Sequence, residues 1–309
     1  MKVFNYLMAG VLGMGALAFV SCSSNDEPET TDGGGKTPAT PTDTSLLVSS
    51  IMEGSNSMYL SKFVYDSENR MVSGTEAWMG AFNYSFSPLQ LVINASTEES
   101  GKEVYTFKDI RTNEKGYITY AKVENSYEED GQEYYAEGTM ELTYDGDYLT
   151  KAILNSNDNG EEYTSEQTLT WNNGNLVKLV ATDESVGEYS ETDTYTYTYG
   201  EGAPKNSGIY LQDVTYLMFN CLFYAGYMGK PCANIPTEIS RKYDSESSPY
   251  TYAVEVAYDD KNRIVEYKEN DALCCVYAYD GKTAVWPSMS TSVQKSVKAS
   301  TGKLFRHRR

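Results

Sequence analysis

Strict alternation of apolar or aromatic with polar positions runs through most of this chain. In TYTYTYG (194–200), Thr194, Thr196 and Thr198 fall on one parity and Tyr195, Tyr197 and Tyr199 on the other. Extended backbone would turn the two sets to opposite faces of a strand. EYYAEGTMELTYDGDYLTKAIL (133–154) and YTSEQTLTWNNGNLVKLVAT (163–182) alternate in the same way and break at Asp-Gly and Asn-Gly. Those dipeptides supply the positive φ that a tight hairpin needs. FVYDSENRMV (63–72) and VAYDDKNRIVEY (256–267) share one phrase, echoed at Tyr144-Asp145 and Trp171-Asn172 and, in part, at Tyr243-Asp244 and Tyr279-Asp280. After a short polar loop each full copy restarts on an apolar residue: Met71, Leu149, Leu176 or Ile264. The aromatic closes a strand against its cross-strand neighbour. Asp or Asn then bonds the backbone two residues on, and Asn69 or Asn262 takes the left-handed conformation that completes the turn. The pattern predicts an all-β antiparallel meander curled into a strongly curved sheet or barrel-like structure.

One stretch departs from this. IYLQDVTYLMFNCLFYAGYMGKPCANIP carries Leu211, Val214, Met218, Cys221 and Leu222 at helical spacing, with Gly229 and Pro231 as a stop. It predicts one short helix near 211–228, placed to plug or cover one end of the sheet.

The first residues set the address. Lys2 precedes an uncharged, mostly apolar run from Tyr6 to Val20, too short for a comfortable span and of signal-peptide length. It ends in Val20-Ser21-Cys22, which resembles a bacterial lipobox with Cys22 as the acylated residue. Residues 22–45 are polar and rich in Pro, Gly and Thr, a tether that cannot bury a core. The expected organisation is a signal peptide over 1–21, a tether over 22–45, a β domain over 46–280 and a basic, disordered tail over 281–309.

Charge narrows the partners. Between residues 22 and 280 there are 44 acids against 17 bases, a net charge of about −27. So acidic a body repels nucleic acid and anionic lipid, and no nucleic-acid partner is expected. His307, in the tail, is the only histidine. That removes Ser-His-Asp and Cys-His catalysis, and any His-ligated zinc, from the body. Cys221, Cys232, Cys274 and Cys275 remain after Cys22, and three pairings are open, with Cys221–Cys232 the local one.

Two sites stand out. In NSNDNGEEYTSE (155–166), Asn155, Asn157, Asn159, Gly160 and Glu166 follow the spacing of a calcium loop, with Glu161 a further oxygen donor. Calcium is the one cofactor the sequence offers, and a plain Asn-Gly hairpin is the competing reading. Trp78, Trp171 and Tyr197 could stack on sugar rings, although Tyr also suits any half-buried pleated surface. Nothing singles out a carboxylate pair for hydrolysis, so no enzymatic activity is expected.

The lipobox, acidic residues just beyond it (Asp26, Glu27 and Glu29), the tether, the Tyr-Asp hairpins and LFYAGYMGKPCANIPTEI (222–239) together resemble a family of Bacteroidetes lipoproteins of unknown function with a porin-like fold. That resemblance covers about 46–280 and implies an antiparallel, barrel-like sheet with no catalytic residues. It also implies attachment to the outer membrane through a lipid anchor, facing the cell exterior. Charges on both parities of residues 97–138 nevertheless argue for water-facing strands over lipid-facing ones. The expected role is a surface binding or structural module whose partner is a glycan or another surface protein. A carbohydrate-binding accessory of a glycan-uptake system comes second and a glycan hydrolase third.

Overall fold

In a computed structural model that describes residues 47–287 apart from 55–57, 77–79, 96–102, 130–131, 159–160, 186–188 and 211–219, sixteen strands form one closed antiparallel barrel. They are β1 (Val48–Gly54), β2 (Met58–Tyr65), β3 (Met71–Glu76), β4 (Gly80–Phe86), β5 (Leu89–Asn94), β6 (Glu103–Thr112), β7 (Ile118–Glu129) and β8 (Gln132–Asp145). The second half comprises β9 (Tyr148–Asp158), β10 (Glu161–Asn172), β11 (Asn175–Ser185), β12 (Tyr189–Thr198), β13 (Glu238–Tyr243), β14 (Tyr250–Tyr258), β15 (Ile264–Glu269) and β16 (Ala272–Tyr279). Every strand pairs with its sequence neighbours, and β1 closes the ring on β16 with Ile51 opposite Tyr277. Closure leaves no free strand edge.

Alternation decides what lies inside. Leu91, Ile93, Tyr105, Phe107, Ala121, Val123 and Met140 are fully buried on the inner wall. Their neighbours Asn83, Ser85, Glu137 and Glu141 face out and are exposed. The outer positions of β6–β10 carry cross-strand ion pairs: Lys108–Glu124 at 2.5 Å, Lys122–Glu137 at 2.8 Å and Lys151–Glu166 at 3.0 Å. No described helix is long and apolar enough to cross a membrane.

The recurrent Tyr-Asp phrase is a hairpin device, as expected, and it does more than turn the chain. Asp66 Oδ1 accepts from the amides of Glu68 and Arg70, and Asp259 Oδ1 from those of Lys261 and Arg263. Asn69 and Asn262 sit at φ 61° and 57°. The Arg of each Asn-Arg folds back: Arg70 Nε donates to Asp66 Oδ2 at 2.9 Å and Arg263 Nε to Asp259 Oδ2 at 2.8 Å. Aromatic side chains then fasten each turn to a neighbouring strand. Trp171 Nε1 donates to the Leu149 carbonyl at 2.7 Å, Tyr199 to Leu176 and Tyr279 to Ile264, both at 2.8 Å. Arg263 is the more enclosed of the two arginines, its side chain 6% exposed against 33% for Arg70. It also reaches Asp280 at 3.0 Å and lies over the Tyr279 ring at 4.5 Å. Arg263→Ala should therefore destabilise the protein, because it removes the enclosed guanidinium that joins Asp259, Asp280 and the Tyr279 ring, although the backbone amides still bond Asp259 and Lys261 still bonds Asp280. The Arg70→Ala cost should be clearly smaller, and urea unfolding of both variants provides the comparison.

Between β12 and β13 the chain enters the barrel. Its helix α1 (Asn220–Tyr224) is the described part of the expected 211–228 helix, and 211–219 lie outside the described residues. Ile209, Leu222, Phe223, Tyr227, Met228 and Ile235 are buried among the inward side chains. Tyr224 stacks on Phe63 with centroids 5.4 Å apart, and Tyr227 lies 5.6 Å from Tyr84. Backbone bonds from Lys230 to the Asp147 carbonyl and from Ala233 to the Gly174 carbonyl, both 2.8 Å, tie the segment to the turns it closes. Asp147 is clamped by Lys115 and Lys230, each at 2.7 Å, and these two ammonium groups hold its pKa down to about 2.

The tail expectation needs correcting at its start. Residues 281–287 are ordered against the barrel because the outer wall there is apolar. Ala284 and Trp286 cover Met52, Leu60 and Val276, and the Lys282 carbonyl accepts from Ser49 and Ser50. The rest of the expected tail, the expected signal segment and tether, and Cys22 lie outside the described residues.

Candidate functional site

The outside of a barrel is convex, so a hollow on it calls for a local cause. On β7–β10 the outward side chains stand around backbone that carries none on this face, at Ser156 and at Gly138, both of which share the inner face with Val123. A Cβ at Gly138 would meet the Asn155 carbonyl oxygen at 2.1 Å, so only bare backbone allows β8 and β9 to pack this closely. Between the outward side chains lies an open groove of about 350 Å³, within the range of small-ligand sites. Its floor is backbone around Gly138 and Ser156. Tyr120, Lys122, Thr139, Asn155, Glu162 and Thr164 are among the residues around it.

Charges in the groove are largely cancelled. Lys122 lies 2.8 Å from Glu137 and 3.5 Å from Glu124, and the bond to Glu137 raises its pKa. Against partial burial, bonds from Lys108 and Tyr135 hold Glu124 below the usual carboxylate range. The neutral groups do the presenting. Asn155 Oδ1 accepts from Thr164 Oγ1 at 2.9 Å, leaving the Asn155 amide nitrogen to donate elsewhere.

The inner wall is polar over one arc, and closed off. Arg241 bonds Asp193 at 2.6 Å and lies over the rings of Tyr195 and Tyr243. Glu103 accepts from the Tyr105 hydroxyl at 2.9 Å, and burial raises its pKa. Asp193, Glu103 and Gln167 are exposed by only 2%, 3% and 1%, so this arc offers nothing to a polymer in solution.

The sequence candidates do not gather at one place. Trp171 is a hairpin fastener, its ring 4.6 Å from Tyr148, and Tyr197 is an inner-wall residue 4% exposed, so neither forms an open stacking platform. Trp78 lies outside the described residues. The expected calcium loop is the β9–β10 hairpin. Asn155 opposes Thr164, Asn157 opposes Glu162, and Glu161 opposes Asp158. Glu166 opposes Ile153 and is held by Lys151 at 3.0 Å. An antiparallel ladder spreads these residues along two strands, whereas calcium needs its oxygens curled around one point. Asn159 lies outside the described residues, among which no group of three His, Cys, Asp or Glu side chains converges. The Cys221–Cys232 bridge is absent, both being free and buried. Cys221 lies beside Glu76, while Cys232 packs beside Tyr199 at the turns. Asn155 and Asn157 are shared between the sequence candidates and the groove, in a different role. Thr139 and Thr164, ordinary polar residues at outward positions, gave no signal that set them apart.

No protein-family model matches the sequence, and no curated protein does. Among solved structures, a porin-like protein from Bacteroides vulgatus is similar, with a TM-score of 0.52 and 13% identity over 76% of this chain and 99% of its own. A porin-like protein from Bacteroides uniformis is similar at a TM-score of 0.51 and 19% identity, over 75% of this chain and 97% of its own. At these identities the likeness concerns the fold.

Proposed function

We propose that this chain is a lipid-tethered barrel that stands in water at the cell surface, plugged from within, and acts as a binding or structural module through its outer wall. The observation that carries this reading is the distribution of polarity across the wall. The ion-paired ladder Lys108–Glu124, Lys122–Glu137 and Lys151–Glu166 lies where a membrane barrel would meet hydrocarbon, and there each Lys would cost roughly 2–4 kcal/mol. The apolar side chains point inward and pack around the segment holding α1, which leaves no aqueous channel at that end. The porin-like neighbours fit a barrel associated with an outer membrane, and the lipobox at Cys22 supplies an anchor that needs no spanning strand.

Exporting the chain with Cys22→Ala behind an ordinary cleavable signal tests this. The variant should move from the membrane to the soluble fraction with its β-sheet circular dichroism intact, and the lipidated protein should open no conductance in planar bilayers. Retention in alkali-washed membranes without the lipid, or steady single-channel currents, would refute the reading.

A further inference from the structure

We infer that the groove over Gly138 is a binding site for a neutral oligosaccharide, an assignment that rests on the outer wall facing water. Three features select the ligand class. The cations around the groove are matched, Lys108 by Glu124 and Lys122 by Glu137, on a body of strongly negative charge. Phosphates, uronates and nucleic acids therefore gain no free cation and meet net repulsion. A peptide would bind best by adding a strand or by burying apolar anchors. A closed barrel has no edge for the first, and the groove is lined by no aliphatic side chain, only by amides, hydroxyls, charged groups and the rings of Tyr120 and Tyr163, which does not favour the second. What remains is hydrogen bonding to neutral hydroxyls. The Asn155 amide donates, the Thr139 hydroxyl can donate or accept, Thr164, whose hydrogen goes to Asn155, can accept, and these three residues sit on neighbouring strands β8, β9 and β10. A vicinal diol offers the complementary donor and acceptor pair. Tyr120 adds an aromatic wall, its other neighbour being the Arg111 guanidinium 4.6 Å from the ring centroid. The floor of bare backbone at Gly138 lets a sugar chain lie close to the sheet.

The full lipidated chain, held in lauryldimethylamine oxide micelles to avoid a sugar detergent, can be titrated calorimetrically with neutral hexasaccharides of glucan, xylan and mannan type and with hexagalacturonate. At least one neutral chain should bind with a dissociation constant between micromolar and millimolar. Asn155→Ala and the groove-filling Thr139→Trp, both on the outer wall, should each weaken it at least tenfold. Hexagalacturonate should bind at least tenfold more weakly than the best neutral chain. Absence of binding by all three neutral chains, equal binding by both variants, or hexagalacturonate as the best ligand would each overturn the assignment. Such a failure, with the unlipidated variant still soluble, would leave the tethered barrel standing. Sugar binding that both variants weaken, in a protein that stays in the membrane without its lipid, would refute the tethered barrel and keep the groove assignment.

Discussion

Glu76→Gln should stabilise the protein at pH 9 by about 4 kcal/mol and change it little near pH 4. Glu76 is 3% exposed at the end of β3, where Oε1 accepts from the backbone N–H of Cys221 and Oε2 is buried without a partner. Burial pushes its pKa up to about 8 from the ordinary glutamate value of 4.5, and Glu53 acts in the same direction. The bonds from Cys221 and Asn220 only partly oppose this. Between those two values the unfolded chain has lost the proton and the folded chain keeps it. The folded state binds more protons, so wild-type stability falls as pH rises through that window, by about 1.4 kcal/mol for each pH unit. Glutamine keeps an acceptor for the Cys221 amide and cannot ionise, so this component of the pH dependence disappears. Thermal melts of both proteins at several pH values between 4 and 9 should diverge by about 10 °C at the alkaline end. Parallel curves would show that Glu76 carries no such penalty and that α1 is not held in the way described.

Gly74→Ala should destabilise the barrel by about 3 kcal/mol or more, one of the largest single-methyl effects in the molecule. A Cβ at Gly74 would stand 2.0 Å from the Lys62 carbonyl oxygen and 2.6 Å from the Phe82 ring. Phe82 is fully buried and the carbonyl belongs to the neighbouring strand, so relief requires moving backbone as well as a ring. Gly146 provides the contrast. Its φ of +60° disfavours a side chain, but a Cβ there meets nothing within 4 Å. Gly146→Ala should cost about 1 kcal/mol, from backbone strain alone. Urea midpoints of the two variants separate steric collision from backbone preference, and equal losses would contradict the close approach at Gly74.

Much of the barrel was legible because its information is local. Tyr195 and Tyr197 read as one face of a strand from their spacing alone, and both face inward. Asp66-Asn69 and Asp259-Asn262 read as turns because Asx bonding and left-handed Asn act within four residues. The arginine closing each phrase was less legible, since its worth at 263 depends on Asp280 and Tyr279, both beyond the turn. The described site candidates were less legible for a related reason. Asn155, Asn157 and Glu166 match a loop spacing, yet the same spacing spans a tight hairpin, and only strand pairing shows which is present. Trp171 attracted a binding role through its ring, and its indole N–H is committed to the Leu149 carbonyl.

The sequence by itself determined strand and turn, the alternation of inner and outer residues along the strands and the acidic body, since these follow from backbone periodicity, side-chain chemistry and charge count. Tertiary structure alone decided that the meander closes with β1 on β16, that the segment with α1 enters the lumen and that Trp286 lies across the outer wall. It also decided that outward side chains of β7–β10 enclose a groove. Each of these depends on how residues far apart in the chain fill one volume, and no local pattern of polarity specifies that packing.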